Sequence, residues 1–136
     1  MSGDRGMNSG RPLSPHLAHY RWEIGQSTSI LHRATGIALA AGLPVLAWWI
    51  VAMAAGGAAA DWTARIYASW PAKLLLFGWT VAICFHLLNG IRHLGWDSGH
   101  GFGMANTRST GWAAMIGAVA LALLIWVFVL FGGVGA

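Results

Sequence analysis

Two short strings carry polar groups into otherwise apolar sequence. Residues 86–97 read HLLNGIRHLGWD and contribute His86, Asn89, Arg92, His93 and Asp97. Residues 29–36 read SILHRATG and contribute Ser29, His32 and Arg33. Ionisable groups at membrane depth are costly and tend to mark function. A neutral imidazole can hydrogen-bond or ligate a metal. A guanidinium beside a hydroxyl can donate to carbonyl or anionic oxygens.

His86 is the sharpest case, because it lies well inside an apolar run. An imidazole there either hydrogen-bonds a neighbouring helix or ligates haem iron. Gly90 follows four residues later, on the same helical face, and leaves room for a flat macrocycle. His93 is seven residues beyond His86, ~10 Å further along one side of a helix. Axial ligands approach one iron from opposite sides, so this pair cannot hold a single haem. Apart from His32, at the extreme start of the first span, the other spans hold no histidine. The economical arrangement is a haem shared with another subunit.

Arg92, His93 and Asp97 fall at the end of the second span. Snorkelling and interface anchoring is the ordinary reading of Arg92. His93 is better placed to reach a haem propionate, and Asp97, four residues on, could pair with it. Ser29 and Arg33 share a helix face. They could hydrogen-bond quinone carbonyl or haem propionate oxygens, or Arg33 could be a plain interfacial anchor. His16, His19 and His100 lie in polar segments and are expected to face solvent.

These groups need helices to position them. The chain of 136 residues is 57% hydrophobic and 9% charged, against roughly 25% charged in soluble domains. No Asp, Glu, Lys or Arg occurs in residues 34–60, 74–91 or 109–136. About 20 helical residues cross a bilayer core, so an all-α membrane protein with three transmembrane helices is predicted, at about 29–54, 71–96 and 111–133. Lipid offers the backbone no hydrogen-bond partner, which leaves helices as the spanning form. Residues 1–28 form a cytoplasmic N-terminal segment and 29–136 the transmembrane anchor domain.

Trp48, Trp49, Trp62, Trp70, Trp96 and Trp112 fall near the expected span ends, where indoles anchor at the interface. Pro44 predicts a mild kink. Gly36 with Ala40, and Ala113 with Gly117, allow close helix contact. Residues 56–70 form a connecting loop without a usable motif.

The net charge is +4 and the pI about 10.3. The basic residues flank apolar spans, so they speak for membrane orientation and not for nucleic acid. Arg5, Arg11, Arg21, Arg33, Arg92 and Arg108 lie on one side of the membrane and Arg65 and Lys73 on the other. Six against two puts the N-terminus in the cytoplasm and the C-terminus in the periplasm. The first 28 residues lack both a signal-peptide apolar region and a transit-peptide composition. A bacterial inner membrane is therefore expected. Cys84 is the lone cysteine, so the chain alone forms neither a disulfide framework nor a cysteine-held cluster.

Taken with RPLSPHLAHYRW at 11–22, the strings SILHRATG and HLLNGIRHLGWD resemble the succinate dehydrogenase cytochrome b subunit. The resemblance covers roughly residues 11–135, in motif order and three-helix layout. It implies a non-catalytic anchor, paired with a second hydrophobic subunit and bound by iron–sulfur and flavoprotein subunits on the cytoplasmic side. Succinate is oxidised at the flavin and electrons pass to ubiquinone. By resemblance His86 is an axial ligand of haem b, with the other ligand from the second anchor. His32, Arg33 and His93 neighbour the haem propionates, and Ser29 and Arg33 contact ubiquinone. A menaquinone-linked fumarate reductase would use a similar anchor. A cytochrome of a hydrogenase or formate dehydrogenase usually carries both ligands in one chain, and a transporter or structural anchor would lack haem.

Overall fold

The computed structural model describes residues 22–132. The expectations for Arg5, Arg11, His16, His19 and Arg21, and for most of the N-terminal motif, lie outside the described residues, as do positions 133–136. The described chain is all helical: α1 (Ile24–Ala55), α2 (Gly57–Ala68), α3 (Trp70–Asp97) and α4 (Met104–Phe131). Three of these, α1, α3 and α4, are long and apolar enough to cross a membrane. The three-span expectation therefore stands.

Five of the six span ends move outward from those predicted, and α4 ends earlier, at Phe131 against 133. Helix α1 starts at Ile24, ahead of the expected 29, because the Glu23 N–H finds the Gln26 side chain at 2.9 Å. That contact caps an otherwise orphan backbone donor. Helix α4 starts at Met104, ahead of 111, so most of the expected second loop is helical. Span limits were read from where charge stops, and polar turns extend a helix beyond the lipid. Helix α1 runs on through Pro44.

The expected loop at 56–70 is largely α2, a correction. Gly56 and Gly57 have φ of 69° and 56°, in the left-handed region that disfavours side chains. They end α1 and let a new helix begin at once. Tyr67 then ties α2 back to α1, its hydroxyl donating to the Val45 carbonyl at 3.3 Å while its ring meets Trp49 edge-on. Extended Ser69 and the early Pro71 restart the chain as α3.

Helices α3 and α4 share the core. Cys84 and Phe85 pack on Ala118 and Ala122, with Phe77, Val81, Leu88 and Met115 around them. The buried stripe of α4 is Gly111, Ala114, Ala118 and Ala122. Ala113, expected in the close contact, is exposed, whereas Gly117 meets Leu88. Near the far end Trp126 donates to Thr80 at 3.1 Å and stacks edge-on against Phe77. Helix α1 approaches α3 over two glycines. A Cβ at position 42 would fall 2.5 Å from the Trp79 indole, and one at position 36 would fall 3.2 Å from His86. Close contact at Gly36 is therefore an α1–α3 device, set directly against the candidate site.

Candidate functional site

The two polar strings converge. His32 on α1 stacks on His86 of α3, with ring centroids 3.9 Å apart and planes within 8°. It also stacks on His93, at 5.1 Å and 16°. Seven residues of helix separate His86 and His93 by ~10 Å, so the His32 ring fills the interval between them. Face-to-face rings aim their nitrogen lone pairs sideways. Among the described residues no group of three histidine, cysteine or acidic side chains could hold a metal ion.

The protonation of His86 follows from its neighbours. Its Nδ1 lies 3.2 Å from the His32 carbonyl oxygen and 3.2 Å from the Thr35 hydroxyl. A carbonyl can only accept. The Thr35 hydroxyl already directs its proton to the Leu31 and His32 carbonyls, at 2.8 and 3.0 Å, so its oxygen is also an acceptor here. Nδ1 therefore carries a hydrogen, and in the neutral ring the lone pair is on Nε2. An imidazole that donates one ring N–H to a backbone carbonyl and presents the other nitrogen is the usual state of a metal-ligating histidine. The residues present fit an axial ligand of haem, and a side chain at Gly90 would meet nothing within 4 Å.

His93 has the same tautomer by the same reasoning, because its Nδ1 lies 2.7 Å from the Asn89 carbonyl. The expected pairing of His93 with Asp97 does not form; the ring bonds to its own helix instead and meets Trp96 edge-on. The Nδ1 of His32 is buried without a hydrogen-bond partner among the described residues. Ser29 is half-buried and Arg33 exposed, four residues apart on α1 and hence on one face. His100 is exposed, as expected, and contacts Ser98.

Arg92 departs from its expected role. Instead of snorkelling outward, it turns between the helices. Its Nε donates to Thr110 at 3.0 Å and one Nη to Thr28 and Asn89, each at 3.1 Å. The other Nη donates to the Thr107 carbonyl at 3.0 Å, and the guanidinium lies 4.1 Å from the Trp96 ring centroid. Thr28 and Asn89 are fully buried. The sequence reading missed Thr28, Thr35, Thr107 and Thr110. Their spacing carries a usable signal: Thr28 lies one turn before His32, and Thr107 and Thr110 share a face of α4.

The family of succinate dehydrogenase/fumarate reductase transmembrane subunits matches residues 7–131, nearly the whole chain. The chain belongs to this family. It is 42% identical over 117 residues to the succinate dehydrogenase cytochrome b556 subunit of Paracoccus denitrificans, covering 84% of this chain and 88% of that protein. The same subunit of Rickettsia typhi is 38% identical, over 86% of this chain and 91% of its own length. The mitochondrial cytochrome b560 subunit of Sus scrofa is 32% identical, over 83% and 68% respectively. Membership accounts for three apolar spans in a chain of this size.

Proposed function

We propose that the chain is the cytochrome b anchor of a succinate:ubiquinone oxidoreductase, sharing haem b with a second hydrophobic subunit and forming part of the quinone site. The observation that carries this reading is His86, whose Nδ1–H is committed to the His32 carbonyl and the Thr35 oxygen. That leaves Nε2 for iron. Haem, when bound, supplies a one-electron carrier beside the quinone. Among the described residues His86 is the one deep histidine set up in this way, so a second ligand to the haem iron would come from the partner anchor. His32 and His93 belong to the same ring stack, Arg33 follows His32 on α1, and the three would supply donors for the propionates.

Ser29 and Arg33 lie in the first three turns of α1, at the same end of the bundle as His93. They donate to a quinone carbonyl oxygen, and a cation at the site favours the more basic, partly reduced oxygen over the neutral quinone. Quinone reduction takes up two protons, so a site close to the membrane surface keeps water within reach. The curated relatives are named as succinate dehydrogenase subunits, which favours succinate oxidation over fumarate reduction. The chain works with flavoprotein and iron–sulfur subunits in a bacterial inner membrane, its N-terminus cytoplasmic and its C-terminus periplasmic.

The test is His86→Ala in the purified complex. The bis-histidine haem spectrum is lost or strongly altered, whereas His100→Ala leaves it intact. An unchanged bis-histidine spectrum in the His86 variant would remove this chain's histidine from the haem.

A further inference from the structure

Arg92 has the most connected side chain of the described residues, and the quinone and haem reading does not use it. An arginine carries five N–H donors. Four hydrogen bonds leave its guanidinium, to Thr110, Thr28, Asn89 and the Thr107 carbonyl. All four acceptors are neutral. Thr28 and Thr110 direct their own hydroxyl protons to the Gly25 and Asn106 carbonyls, at 3.0 and 2.6 Å, so their oxygens are fixed as acceptors. Four of the five N–H donors are thus taken by protein acceptors, which leaves no two-pronged fork for a quinone. Its role is exerted through the residues it holds.

Those residues sit on three different helices. Thr28 belongs to α1, Asn89 to α3, and Thr107 and Thr110 to α4. Thr28 immediately precedes Ser29 and lies one turn before His32, so the Arg92–Thr28 bond sets the first turns of α1 against α3. The same guanidinium holds the Asn89 side-chain oxygen, on the residue whose backbone carbonyl accepts from His93 Nδ1 at 2.7 Å, and it covers Trp96, the indole against which His93 packs. The same turns of α1 also meet their neighbours through Ile24 and Thr28 against Gly111, Gly25 against Thr107, and His32 stacked on His86 and His93.

We propose that Arg92 is a positioning residue: it fixes the distance and rotation of the α1 turn bearing Ser29, His32 and Arg33 relative to His86 and His93. This deepens the quinone reading and rests on it. A planar fork is required, because one ammonium group cannot reach acceptors on three helices in fixed geometry. Misplacing a binding turn by about an ångström weakens reaction by as much as ~100-fold.

The experiment uses the assembled complex carrying Thr28→Val, Arg92→Lys, or both, with Ser29→Ala and Arg33→Leu as reference variants. Readouts are the KM for a short-chain ubiquinone, the haem spectrum, and succinate oxidation with an acceptor that takes electrons upstream of quinone. Thr28→Val keeps the side-chain shape and removes one acceptor. Arg92→Lys keeps the charge and removes the fork. Each raises the quinone KM at least about fivefold and shifts the haem spectrum, while the upstream activity stays at the parent level. The double variant is no worse than Arg92→Lys, because both changes break one tie. Parent KM and parent spectrum in assembled Thr28→Val and Arg92→Lys complexes, with the reference variants impaired, overturn the positioning role and leave the quinone reading standing. Normal quinone reduction in the reference variants overturns that reading and this proposal with it. Loss of assembled complex with parent KM in the surviving fraction identifies Arg92 as a stability element only and also overturns the proposal.

Discussion

Gly36 on α1 faces His86 on α3 so closely that a methyl group at position 36 would lie 3.2 Å from the imidazole Cε1. The ring cannot retreat freely, since its Nδ1 is anchored to the same helix through the His32 carbonyl and Thr35. Gly36→Val therefore rotates or displaces the imidazole. The low-spin haem spectrum of the complex should shift, with lower haem occupancy, while succinate oxidation upstream of quinone is retained. A parent spectrum would show that the ring has slack the packing does not reveal.

Ser29 and Arg33 form one face at the start of α1. Ser29→Ala and Arg33→Leu should sharply reduce succinate–ubiquinone reductase activity in assembled complex and spare activity with the upstream acceptor. Loss of a charge-assisted hydrogen bond of ~1.5–3 kcal/mol corresponds to roughly a ten- to hundredfold effect. Equal loss of both activities would indicate failed assembly, and full quinone activity in both variants would take these residues out of the site.

The proposed orientation rests on six basic residues against two. Reporter fusions should find the C-terminus in the periplasm and residues 98–108 in the cytoplasm. A C-terminal reporter active only in the cytoplasm contradicts this topology.

Ala118 and Ala122 are 1% and 0% exposed where α4 meets Cys84 and Phe85. Ala118→Leu adds three carbons with nowhere to go, and overpacking of this kind costs ~1–3 kcal/mol. The thermal midpoint of the complex should fall, read by loss of the haem band on heating, with quinone KM near the parent value in the folded fraction. An unchanged midpoint would mean that the seam can open without penalty.

The three spans were legible because absence of charge is a coarse, additive signal. Their ends were not, since capping by Gln26 and polar first turns extend helices past the apolar run. Helix α2 reads as a loop in the sequence because twelve residues of mixed character are too few to declare a span and carry no strong helical stripe. Within the site, the histidines and Arg33 stood out as charges in the wrong solvent. The threonines did not, because a hydroxyl in a membrane helix can satisfy itself on its own backbone and so announces nothing. Arg92 was ambiguous for a related reason. An arginine near a span end looks the same in sequence whether it reaches for water or for four neutral acceptors inside the bundle.

The helices are held by two joints of opposite kind. Between α3 and α4 the middle of the joint is apolar, with Ala118 and Ala122 packed on Cys84 and Phe85, and polar ties lie only toward its ends, at Arg92 and Trp126. Between α1 and its neighbours it includes imidazoles, hydroxyls and a guanidinium. Lipid tails do not compete for hydrogen bonds, whereas water does. Stripping lipid and wetting the bundle would therefore leave the α3–α4 hairpin closed while α1 loosens first. Retention of annular lipid during purification governs the histidine end of the molecule more than its alanine seam.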